Sequence, residues 1–285
     1  MHIREKINDI KLIFRMSKYL LKISLRYPVN FVADFIELAL WVAIFTTAVL
    51  LFSSPDGKMQ GVSPALFTLW GFIMFIFISD VIWAIGGGLR YDQMTGILEQ
   101  NFLAPISEYY YPLARLFRVY IRDLPLFFFV PIVFWIFTGE FIAKNILLSL
   151  YIVGISIFCF IGFGYLYAAM VLRMKRSALV SNILQFILMI FGAVFYPFSA
   201  LPDNMLLISK VIPFSYYIDA FRACILGIQP ELIEISLGVG GMTLSPFLIE
   251  LIIIHIVAFI FLALGLSVYR RSVIKAKMEG TLHTY

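Results

Sequence analysis

Asp219 and Arg222 stand three residues apart in a stretch that reads as helix. That spacing places a carboxylate and a guanidinium on one face, where they can pair. Charges recur inside other apolar runs: Asp34 with Glu37, then Asp80, then Arg118, Arg122 and Asp123, then Glu250 and His255. A charge at the bilayer centre costs roughly 2.5–3.5 kcal/mol on insertion scales, so each one needs a reason. Most lie within two turns of the end of their run, where a long side chain reaches the interface. His255 is the deepest and reads as a packed, hydrogen-bonded residue. The chemistry on offer is charge pairing rather than catalysis. The sequence has no G-x-x-x-x-G-K-[ST], H-E-x-x-H or G-x-S-x-G, the patterns that cradle phosphate, hold zinc or raise a nucleophilic serine. Three histidines and two cysteines are too few for a metal cluster. Cys159 and Cys224 read as small packed residues. No catalytic, metal-binding or cofactor-binding residue is assigned.

The elements that must hold these residues follow from composition. Of 285 residues, 62% are hydrophobic and 14% charged, against about 25% charged in an ordinary soluble domain. That balance excludes a soluble enzyme, a disordered chain and a secreted disulfide scaffold, and points to an all-α membrane protein. A crossing helix needs about 20 mostly apolar residues. Six runs qualify, at about 30–53, 65–86, 116–138, 145–172, 178–200 and 246–270. A further stretch within 201–228 is broken by Pro213 and carries Lys210, Asp219 and Arg222. It reads as a re-entrant helical hairpin after the fifth span, tolerated only where protein covers it. No carboxylate sits convincingly mid-span and no inverted repeat is evident. Both points argue against a proton- or sodium-coupled carrier.

Six spans put both ends of the chain on one side. Lys and Arg number 18 on that side against four on the other, Lys58, Lys144, Lys210 and Arg222. Basic loops stay inside, so both termini are expected to be cytoplasmic. Residues 1–29 carry one apolar stripe, Ile3, Ile7, Ile10, Phe14, Leu21 and Leu25, and one basic stripe, Lys11, Arg15, Lys18, Lys22 and Arg26. This predicts an amphipathic helix lying on the cytoplasmic surface against anionic headgroups. Tyr27-Pro28 ends it.

Two connecting segments are the most informative. Residues 90–115 read R-Y-D-Q-M-T-G-I-L-E-Q-N-F-L-A-P-I-S-E-Y-Y-Y-P-L-A-R, between the second and third spans on the cytoplasmic side. Gly96 permits a break, Ile97, Leu98, Phe102 and Leu103 form an apolar face around Glu99, and Pro105 ends a short helix. Ser107 is a candidate cap for the next helix, with Glu108 in its first turn. Residues 195–227 read F-Y-P-F-S-A-L-P-D-N-M-L-L-I-S-K-V-I-P-F-S-Y-Y-I-D-A-F-R-A-C-I-L-G on the outer side. Pro197 and Pro202 break the fifth span, Asp203 or Asn204 is a candidate cap, and Pro213 starts another helix.

These segments resemble the permease subunit of ABC-2 type exporters. G-I-L-E-Q-N-F-L-A-P-I-S is similar to that family's loop before the coupling helix, and I-P-F-S-Y-Y-I-D-A-F-R-A-C-I-L-G to its region after the fifth span. The six-span layout and the amphipathic arm agree with it. One departure is Ile212-Pro213, where Asn-Pro is common in the family. The resemblance implies a dimer of permease copies in a prokaryotic cytoplasmic membrane, each bound to one ATPase subunit on a separate chain. ATP and Mg²⁺ would be held by those two subunits and not by this chain; lipid would surround it, and nucleic acid would play no part. Gly96, Leu98, Glu99, Phe102, Leu103 and Pro105 would form the ATPase-coupling segment. Phe195, Tyr196, Pro197, Pro213, Asp219 and Arg222 would form the outer gate and re-entrant region. The cargo would be a lipophilic small molecule of drug or antibiotic type; a lipid-linked polysaccharide is the alternative. An ion-coupled carrier and a six-span membrane factor without transport activity are the further alternatives.

Overall fold

The computed structural model describes residues 2–26, helical positions scattered from 28 to 47, and then 61–174, 176–233, 237–239 and 242–279. Asp34 and residues 48–60, where the first expected span falls in part, lie outside the described residues, as does Tyr27.

Among the described residues the regular structure is helical apart from one small antiparallel hairpin. The helices are α1 (His2–Leu25), α2 (Pro64–Trp83), α3 (Arg90–Met94), α4 (Ile97–Leu103), α5 (Tyr110–Asp123), α6 (Leu126–Thr138), α7 (Ile146–Val171), α8 (Ser177–Phe191), α9 (Asp203–Val211), α10 (Pro213–Leu226) and α11 (Pro246–Glu279). A π-helical turn, Ala84–Leu89, joins α2 to α3. Strand β1 (Leu237–Val239) pairs with β2 (Met242–Leu244), placing Leu237 opposite Leu244.

Among the described residues, four helical stretches are long and apolar enough to cross a membrane: Pro64–Met94, Tyr110–Ile136, Ile146–Val171 and Pro246–Glu279. The Pro64–Met94 stretch is the axis of the molecule. Ser63 caps it by accepting from the Leu66 N–H, and Pro64 occupies its first turn, where a missing N–H costs nothing. Its apolar residues run round the whole helix, and they are buried all round. Helices α7 and α11 run side by side, with Gly162 against the backbone of Phe261 and Leu262 and Gly265 against Gly162. Without side chains at these points the two backbones approach closely, the usual device of helix contacts in lipid. Helix α1 lies along α5, and the Ser17 hydroxyl donates to the Ala114 carbonyl at 3.0 Å. Ile13 and Ser17 face inward, while Lys11, Arg15, Lys18 and Lys22 are exposed.

Several expected boundaries move. The helix expected from 116 begins at Tyr110, because Tyr111, Ala114 and Arg115 turn onto protein instead of ending in a loop. The expected fifth span, 178–200, is helical only to Phe191. Fifteen residues rise about 22 Å, short of a hydrocarbon core of about 30 Å. The helix stops at Gly192–Ala193, where Ala193 takes a left-handed conformation (φ 47°). Phe195, Tyr196 and Pro197 therefore lie in non-helical chain. The last helix continues past 270 to Glu279, since Ser272, Val273 and Ala276 stay buried.

Candidate functional site

Polar clusters and connecting segments stand out at both ends of the Pro64–Met94 axis, with a further ionic group between them. At the end near α4, the turn is made by Gly96, whose φ of 75° suits a residue without a side chain. Helix α4 then runs seven residues to Leu103, and Pro105 follows its extended cap residue Ala104. Leu98 is 1% exposed and anchors the helix, whereas Leu103 is 83% exposed and Ile97, at the other end of the helix, is exposed too. The apolar face expected from sequence is thus divided, because so short a helix at the surface can bury only one side. Phe102 is half-buried beneath the Lys277 ammonium, 5.4 Å from its ring centroid. Glu99 is half-buried. Ser107 does not cap α5 through its side chain; its carbonyl accepts from the Tyr110 N–H instead, and Tyr109 occupies the cap position.

A buried triad fixes this segment to the body. The Arg115 guanidinium pairs with the Asp92 carboxylate, and the Tyr111 hydroxyl donates to the same carboxylate oxygen. Arg115 also reaches the Ala84 carbonyl in the π-helical turn. Gln93 donates to the Leu172 carbonyl, and Ser177 donates to the Gly86 carbonyl at 2.6 Å. The wide turn below α2 is therefore held by α5, α7 and α8 at once.

A second ionic group lies further along the axis. Arg122 pairs with both Asp80 and Asp123. Asp123 is fully buried, and its carboxylate faces protein rather than the interface. Glu250 is likewise fully buried, with no hydrogen bond to either oxygen among the described residues. Sequence spacing suggested that such residues escape cost by reaching the interface; here they turn inward onto other helices. His255 bonds to the Leu251 carbonyl at 2.6 Å and to the Tyr151 hydroxyl.

At the opposite end, α10 is started by Pro213 and closed by Gly227 (φ 66°). Asp219 and Arg222, expected to pair with each other, do not make that bond. The Asp219 carboxylate accepts from the Glu231 and Leu232 N–H groups at 2.8 and 2.7 Å. Arg222 donates to the Ala193 and Val194 carbonyls at 2.8 and 3.1 Å and lies over Phe67. These carbonyls lie just past the end of α8, where a cation is favoured. Tertiary acceptors win because they leave the guanidinium room: it fills the space beside Gly71, where any Cβ would overlap it. Neither Asp203 nor Asn204 caps α9 by its side chain; Pro202 is the cap residue. Phe195 packs on Phe72 at 5.8 Å, and its carbonyl accepts from the Thr68 hydroxyl at 3.1 Å. The Tyr196 hydroxyl donates to the Ile190 carbonyl, and Pro197 precedes a single 3₁₀ turn, Phe198–Ala200.

The clusters at both ends of the axis went partly unread in the sequence. Asp92 and Arg115 are 23 residues apart and Phe67 and Arg222 far more, so no local spacing announces them. Gly71 carries no signal at all.

A family model described as ABC-2 type transporter matches residues 11–226. No curated protein matches the chain.

Proposed function

The chain belongs to the ABC-2 type transporter family, as an integral membrane protein that forms the permease part and not the ATPase, and from that premise we propose an exporter. Its cargo is a lipophilic small molecule of drug or antibiotic type, moved outward across a prokaryotic cytoplasmic membrane. The family implies association with an ATP-binding subunit. We place two such subunits on a dimer of permease copies, each crossing the membrane six times with both termini cytoplasmic. Residues 201–228 form the re-entrant region on the outer side.

The observation that carries this proposal is the division of α4. Leu98 roots the helix in the body, while Leu103 and Ile97 stand free to enter a groove on another protein. The helix continues through Gly96 into α3, and through Asp92 it is tied to Arg115 on α5. A push on Leu103 thus reaches the Pro64–Met94 axis without passing through a soft loop. Closure of the ATPase pair would tilt that axis and alternately expose a path between inside and outside. Near the other end, Phe195 leans on Phe72 of the same axis. Phe195, Tyr196 and Pro197 are the gate in this scheme.

Co-expression with the ATPase encoded beside it, and purification in mild detergent, tests the proposal. A stable complex whose vanadate-sensitive hydrolysis differs from that of the ATPase alone supports it. Transport that stops when proton and sodium gradients are collapsed, with ATP present, counts against it.

A further inference from the structure

The turn between α4 and α5 is gripped from an unexpected direction. Tyr165 on α7 is 1% exposed, and its hydroxyl donates to the Tyr109 carbonyl at 2.6 Å. Tyr269 on α11 is fully buried, and its hydroxyl reaches the Glu108 carbonyl at 3.4 Å. The Tyr109 hydroxyl in turn reaches the Leu266 carbonyl at 3.4 Å. The three rings form a closed triangle, with centroids 5.9, 6.0 and 5.2 Å apart. Each hydroxyl is spent on a backbone carbonyl, so the triangle locks chain direction as well as side-chain packing. One turn above it, Gly162 and Gly265 bring α7 and α11 into backbone contact. Two turns below it, α11 sends Lys277 back over Phe102.

We propose that Tyr109, Tyr165 and Tyr269 are positioning residues that make the α4–α5 turn one rigid body with the α7–α11 pair, giving the ATPase stroke a second route into the membrane. This rests on the exporter scheme above, and it adds to it. In that scheme the stroke enters through α3 and the Pro64–Met94 axis. The tyrosine clasp delivers the same displacement to α7, which also packs against the π-helical turn, and to α11, without passing through Asp92. Because the α7–α11 seam has no side chain at Gly162 and Gly265 to yield, the pair moves together or not at all.

The test compares the full chain with its Tyr165→Phe/Tyr269→Phe double variant, which keeps every ring and removes two hydroxyls. Hydrogen exchange of the purified chain alone comes first. Exchange over 104–112 is expected to quicken about fivefold to tenfold in the variant, while α1 and α8 are unchanged. Unaltered exchange over 104–112 overturns the clasp, whatever partner the chain has. The second arm uses the complex with the ATPase, with and without ATP and vanadate. In the natural chain, nucleotide is expected to alter exchange over 104–112 and over the last turns of α7 and α11 together. In the variant, only the 104–112 response should remain. Equal responses in α7 and α11 for both chains overturn the second route, a result that simple structural support could not distinguish. If no ATPase binds either chain, the exporter scheme fails while the first arm still judges the clasp. Should the double variant fail to fold, Tyr165→Phe and Tyr269→Phe singly give the same two readouts.

Discussion

The Arg222 guanidinium lies over the ring of Phe67, 3.9 Å from its centroid, while the same group donates to the Ala193 and Val194 carbonyls. One side chain thus joins α2, the end of α8 and α10. Replacing it by Lys keeps the charge and loses the planar fork. Arg222→Lys is expected to leave one or both carbonyls unpaired, at about 1–3 kcal/mol. Thermal unfolding in detergent, followed by size-exclusion chromatography, should show a lower midpoint than the natural chain.

Gly71 makes that geometry possible. A methyl group there overlaps the guanidinium, so Gly71→Ala is expected to cost about 1–3 kcal/mol by overpacking. In an Arg222→Met background the flexible thioether can yield, and the same change should cost less. A double-mutant cycle on unfolding midpoints measures the difference; strict additivity would show that Gly71 and Arg222 do not share this space.

Asp92 and Arg115 are both buried, with side chains 5% and 9% exposed. Asp92→Ala strands the guanidinium, and about 3–5 kcal/mol of stability should be lost. Replacing both by Leu removes the stranded charge and is expected to cost much less. Comparing the two variants by the same unfolding assay checks the sign as well as the size.

Leu98 and Leu103 sit five residues apart on α4 and face opposite fates. Leu98→Ala empties a buried site and should cost about 2–5 kcal/mol. Leu103→Ala should change stability by less than about 0.5 kcal/mol, yet weaken capture of the ATPase and the coupling of hydrolysis to transport. Full transport by a Phe102→Ala/Leu103→Ala variant would remove the docking role from this helix.

Much of the frame could be read from local signals. Gly96, Pro105 and Pro213 act on the chain immediately around them, and the turns and helix ends they announce are where those residues stand. The early end of α8 is different. The apolar run continues through Phe195 and Phe198, so hydropathy alone cannot see the break at Gly192–Ala193, which is held from outside by Arg222. The Asp219–Arg222 spacing offered a pair that helix geometry allows, but backbone donors at Glu231 and Leu232 and carbonyls at Ala193 and Val194 lay closer. From sequence Arg115 reads only as one more basic charge of a loop, because its partner Asp92 belongs to another helix. The split between Leu98 and Leu103 depends on what lies beneath α4, which no spacing within seven residues records.

The π-helical turn at Ala84–Leu89 has a consequence for numbering itself. A turn that closes from i to i+5 holds one residue more than an α-turn. Each residue of an α-helix advances about 100° around the axis. Everything after Leu89 is therefore rotated by roughly that angle relative to an uninterrupted helix, and Asp92 meets Arg115 only in the rotated frame. Removing a single glycine from Gly86-Gly87-Gly88 would change no charge and little volume, yet it would swing Asp92 about a quarter-turn away. The length of this stretch, more than its composition, sets the phase between the two halves of the axis.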